Sequence, residues 1–137
     1  MSKRVTHILH CAVCDAVVSE PVSLEVEDDL PFRRPLKPAF PKGEGWVTME
    51  PIPQSKWNEC RDLLYTNYVF MSTESLAEDV ADTPFKDRVR GCCGPSGIDG
   101  PNKVCKCGNH IGTESRDCWT AWEFKVDPTA TYWEVLQ

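Results

Sequence analysis

One stretch limits what this chain can fold into more than any other. Residues 91–119 read GCCGPSGIDGPNKVCKCGNHIGTESRDCW and hold five of the eight cysteines and six of the eight glycines, with one histidine and two prolines. So much glycine and proline excludes a long helix and favours successive tight turns. Cysteines carried on such turns can converge on a soft metal ion. A natural counterpart lies near the N-terminus, where His10-Cys11-Ala12-Val13-Cys14 supplies a C-x2-C pair. We expect the two segments to meet and to share one zinc ion.

The compartment decides how eight cysteines are read. The apolar run at the N-terminus (MSKRVTHILHC) is broken by His7 and His10, and no small-residue cleavage site follows it. No apolar run approaches the roughly 20 residues needed to cross a bilayer. These features point to a cytoplasmic protein without a membrane span. In a reducing compartment, C-x2-C spacing signals metal or redox chemistry rather than disulfides.

Structural zinc takes four tetrahedral ligands, mostly thiolates, commonly as two pairs on separate turns. Cys11 and Cys14 form the first pair. Cys105 and Cys107 are the preferred second pair, because Gly108 follows directly and a knuckle often needs φ > 0 there. The C-x-C spacing departs from the usual form. Two alternatives therefore stay open: a mixed site of Cys11, Cys14, one of Cys92 or Cys93, and Cys107; and a second metal on Cys92, Cys93 and Cys118 with His110. Neighbouring cysteines on an extended chain point to opposite sides, which argues against Cys92 and Cys93 sharing a metal. His7, His10 and His110 read as structural or surface residues, with His10 the one best placed to support the ligands.

The rest of the chain reads as a β-dominated α+β fold. It is expected to be one zinc-stabilised domain over residues 1–137, with a small antiparallel sheet pinned by the knuckle pair. Strands are expected over residues 5–10, 23–26, 46–49, 68–71, 122–126 and 132–136, with the last two placed to pair with each other. Six of the eleven prolines fall within residues 30–53. That segment reads as a long irregular connection anchored by Phe32 and Phe40. A helix is expected over residues 54–65, with Trp57, Cys60 and Leu64 on one apolar face and Cys60 in the core. A capping box at Ser75 opens a second short helix ending near Ala81.

The paired knuckles resemble the zinc-ribbon and Mss4-like (β-tent) folds, in which two cysteine pairs on separate hairpins clamp one zinc beside an antiparallel sheet. The set Gly91-Cys92-Cys93-Gly94, Gly100-Pro101-Asn102, Cys105-x-Cys107-Gly108, Gly112-Thr113-Glu114 and Asp117-Cys118-Trp119 also resembles a motif set of small bacterial cysteine-rich proteins. It covers about a third of the chain. The Mss4-like group contains type B methionine sulfoxide reductases as well as chaperone-like and ligand-binding modules, so the resemblance implies a fold and a zinc ion without implying one activity.

Two functional classes remain. In the first, the chain is a protein-interaction module with a structural four-cysteine zinc site. Its net charge of −6 disfavours nucleic acid, and its five tryptophans suit a protein partner. In the second, it is a thiol-dependent enzyme or redox sensor using Cys118 or the Cys92/Cys93 pair, with His110 as base. Neither phosphate-loop nor dinucleotide glycine spacing is present.

Overall fold

The computed structural model describes residues 4–26 and 38–136. Among the described residues, segments rich in β-branched and aromatic residues form nine strands: β1 (Arg4–Cys11), β2 (Val22–Val26), β3 (Glu44–Pro51), β4 (Asn67–Met71), β5 (Ala81–Asp82), β6 (Lys103–Val104), β7 (His110–Ser115), β8 (Glu123–Val126) and β9 (Thr131–Val135). They make one sheet in the order β5-β6-β7-β8-β4-β3-β2-β1-β9. All neighbours are antiparallel except β2 and β3, which run parallel from Ser23↔Glu44 to Val26↔Val47. The sheet is therefore mixed and larger than the small antiparallel sheet expected.

The sheet curls. Leu9 of β1 and Ile111 of β7 stand far apart in strand order, yet both belong to one buried cluster with Leu24, Val69, Met71, Phe124 and Trp133. The apolar residues at alternate positions of the strands make its inner face. Burying each large apolar side chain there contributes about 1.5–3 kcal/mol. No helix among the described residues is long and apolar enough to cross a membrane.

Three expectations are corrected. The helix over residues 54–65 is instead a six-residue 3-10 helix at Gln54–Glu59 with no buried residues. Lys56 N–H bonds to Pro53 O and Cys60 N–H to Trp57 O, so the bonds are of i+3 type, and Trp57 and Cys60 are only partly buried. Cys60 is half-buried and lies outside the core cluster. The capping box gives only a three-residue 3-10 helix at Thr73–Ser75, with Ser72 rather than Ser75 accepting from Glu74 N–H. Third, β8 and β9 do not pair with each other: β8 lies between β7 and β4, and β9 completes the outer side of β1 from His7↔Val135 to Cys11↔Thr131.

The proline-rich connection expected over residues 30–53 ends in regular structure, because β3 occupies Glu44–Pro51. Pro51 has no N–H to give the ladder, and the β3–β4 register shifts between Val47 and Pro51. Phe40 is buried, as an anchor should be. Phe32 lies outside the described residues.

Candidate metal centres

The curl brings the end of β1 to the turn between β6 and β7. After Cys11 the chain turns tightly: Asp15 N–H bonds to Cys11 O, and Asp15 takes a left-handed φ of 64°. Arg61 and the Tyr132 hydroxyl both bond to the Asp15 carboxylate and fasten this turn to the sheet. The second turn is closed by Gly108 N–H to Cys105 O at 2.8 Å and Cys105 N–H to Asn109 O at 2.9 Å. Gly108 has φ of 93°, the conformation that made glycine informative there.

The sulfurs of Cys11, Cys14, Cys105 and Cys107 all lie within 4.8 Å of one another. Cys11 Sγ is 3.7 Å from Cys107 Sγ, and Cys14 Sγ is 3.6 Å from Cys105 Sγ. A zinc ion with Zn–S bonds of about 2.3 Å requires tetrahedral edges of about 3.8 Å. One sulfur of each turn is buried (Cys11, Cys105) and one is exposed (Cys14, Cys107). Asn109 Nδ2 donates to Cys11 Sγ at 3.4 Å and to Ala130 O at 3.1 Å, linking the two turns.

The electrostatics set Cys11 apart from Cys105. Burial pushes Cys11 up, but the backbone N–H groups of Cys14 and Val13, the Asn109 amide and the Cys107 thiol together bring it down to about 7. Cys105 is pushed up to about 12, mainly by burial and further by the neighbouring sulfurs. A divalent cation lets all four ionise together.

A second group assembles at the other end of the cysteine-rich stretch, from Cys92, Cys93, Asp117 and Cys118. The expected companion, His110, is not in it. His110 Nε2 lies 2.7 Å from Thr83 Oγ1, and the ring stacks on Phe85. His10 likewise does not reach the sulfurs: it contacts Glu134 and Asp15 O and stacks on Tyr132. Asp117 takes the place foreseen for a histidine. It is buried, and its Oδ1 accepts from Cys118 N–H at 2.7 Å and Cys93 N–H at 3.1 Å, while Oδ2 accepts from Trp119 Nε1 at 3.1 Å. Those donors, the Cys118 N–H first, hold its carboxyl down at about 2. A lone aspartate beside a cysteine is ambiguous in sequence between a turn cap and a ligand. Here the same carboxylate joins the two loops that carry the thiols.

The cysteine groups thus fit a metal-binding chain, and both could hold an ion. No protein-family model, curated protein or solved structure matches the chain.

Proposed function

We propose that this chain is a zinc-stapled protein-interaction module of the reducing cytoplasm. One structural zinc is held by Cys11, Cys14, Cys105 and Cys107. The observation carrying this reading is the pair of contacts at 3.6 and 3.7 Å that bring sulfurs from two turns to zinc-like spacing. Four thiolates fill a tetrahedron and leave no position for substrate, which is the property of a structural site. The zinc-ribbon or Mss4-like relationship belongs to the same proposal.

The partner is a protein. Trp119 is 67% exposed and Ile98 78%, apolar groups that a contact surface would use, on a chain of net charge −6 that repels phosphate backbones. The test is photo-crosslinking in the cell. A photoreactive residue at position 119 is expected to trap a discrete protein that the same residue at exposed Glu78 does not. Equal or no trapping at both positions would reject the partner.

A further inference from the structure

We infer that Cys92, Cys93, Cys118 and Asp117 form a second metal centre, a solvent-facing three-sulfur, one-oxygen site for a zinc-like divalent ion. It does not depend on the assignment of the first site. Two irregular segments carry it, one around Cys92–Cys93 and one around Cys118. Their fit is close. A Cβ on Gly91 would lie 1.9 Å from Gly94 O and 2.7 Å from Asp117 Oδ2, and one on Gly94 would lie 2.4 Å from Arg116 O. Glycine at both positions is what lets the first segment lie against the second.

The donor set then has to be explained as a whole. Cys92 Sγ lies 3.3 Å from Cys93 Sγ, 3.3 Å from Asp117 Oδ1 and 2.7 Å from Cys118 Sγ. A disulfide between Cys92 and Cys118 would use two of these groups and leave the Cys93 thiol, 3.3 Å from Cys92 Sγ, without a role, while the Asp117 carboxylate would keep only its loop N–H and indole donors. A metal ion uses all four. It also explains why two neighbouring cysteines, which an extended chain would turn apart, point the same way. Of the three distances from Cys92 Sγ, the 3.3 Å to Asp117 Oδ1 is near the sulfur–oxygen edge of a thiolate–carboxylate tetrahedron. The two sulfur–sulfur distances, 3.3 Å to Cys93 and 2.7 Å to Cys118, must open by about 0.5 and 1 Å to reach the edge set by zinc–sulfur bonds, and exposed Cys92 has room to do so. Three thiolates with a carboxylate favour zinc over magnesium or calcium, which prefer all-oxygen sites. Each site has two exposed cysteines, but the first also has two buried ones and this site has none, which makes this ion the more accessible of the two.

The experiment counts zinc on the full chain by native mass spectrometry after loading with Zn²⁺ and removing excess. Wild type is expected to hold two ions, and Cys93→Ser with Cys118→Ser to hold one. Chelator is expected to remove the first equivalent from wild type faster than the second, and the fast equivalent to be missing in the double variant. Asp117→Asn, which keeps an oxygen for the loop N–H groups, is expected to weaken the second ion by about tenfold or more. A wild type holding one ion that survives Cys93→Ser with Cys118→Ser overturns this site and leaves the first intact. Two ions in the double variant, or a Cys92–Cys118 disulfide found by non-reducing peptide mapping of the zinc-loaded protein, also overturns it.

Discussion

Cys11 Sγ and Cys107 Sγ, 96 residues apart in the chain, lie 3.7 Å apart at the seam where the curled sheet meets itself. β1 and β6 are six places apart in the strand order, so no ladder hydrogen bond joins them there. The seam is held by Asn109, by burial of Cys11 and Cys105, and by whatever links the sulfurs. A structural zinc contributes roughly 10–16 kcal/mol of apparent binding free energy at neutral pH. Net domain stability is about 5–15 kcal/mol.

Replacing one ligand should therefore unfold the protein rather than trim its stability. Cys107→Ser is expected to lose the cooperative thermal transition that wild type shows, followed by circular dichroism with zinc present. Chelator should do the same to wild type. Cys60→Ser, which changes a thiol outside both clusters, should shift the midpoint by only a few degrees.

His7 is fully buried, with Nδ1 2.7 Å from Val5 O and Nε2 2.8 Å from the Tyr65 hydroxyl. A carbonyl only accepts, so Nδ1 carries the proton and Nε2 accepts from Tyr65. Burial lowers the His7 pKa from its usual 6.5, against the opposing pull of Val5 O. The unfolded chain then binds a proton near pH 6.5 that the folded chain resists. Stability present above pH 6.5 falls as pH drops below it, by at most about 1.4 kcal/mol per pH unit. Denaturant titrations at pH 7.5 and 5.5 in excess zinc should show a smaller loss for His7→Gln than for wild type. Equal losses would remove His7 from the account.

Asn102 is buried and holds β7 at both sides of one residue: Oδ1 accepts from Glu114 N–H at 2.7 Å, and Nδ2 donates to Glu114 O at 2.9 Å. Asn102→Ala leaves a buried N–H and a buried C=O without these bonds. The expected cost is about 2–4 kcal/mol in chemical denaturation, without loss of bound zinc. Asn102→Asp sets a carboxylate oxygen against Glu114 O in a buried site and should recover none of it.

Gly112 pairs with Val126 where β7 meets β8, and a Cβ there would sit 2.4 Å from Lys125 O and 2.4 Å from Phe124 Cζ. Backbone cannot yield as a flexible side chain can. Gly112→Ala is expected to cost about 1–3 kcal/mol or more by overpacking. Gly43→Ala, where nothing lies within 4 Å but φ is 87°, should cost less and only through backbone strain.

How far these features were legible depended on whether their cause was local. β1, β4 and β9 carry their own β-branched and aromatic signal and lie near their expected limits. The turn at Gly108 was legible because φ > 0 restricts residue choice so sharply. The helix around Trp57 failed because spacing of three apolar residues says nothing of whether a surface exists to bury them. Trp57 instead donates its indole N–H to Ile52 O. The parallel β2–β3 pair and the separation of β8 from β9 are set by chain crossings, which leave no local pattern. β7, hidden among the cysteines and glycines, was missed although Ile111, Gly112 and Glu114 are buried in it. Asp117 beside Cys118 gave only an ambiguous signal, turn cap or ligand, since its role depends on a loop more than 20 residues away.

The zinc proposed on Cys11, Cys14, Cys105 and Cys107 has a direct spectroscopic signature. X-ray absorption at the zinc edge tests it most directly, on the variant in which Cys92, Cys93 and Cys118 are all serine. One zinc per chain with four sulfur neighbours at about 2.3 Å is expected. A folded variant that binds no zinc, or whose zinc has nitrogen or oxygen in place of any of those sulfurs, would contradict it.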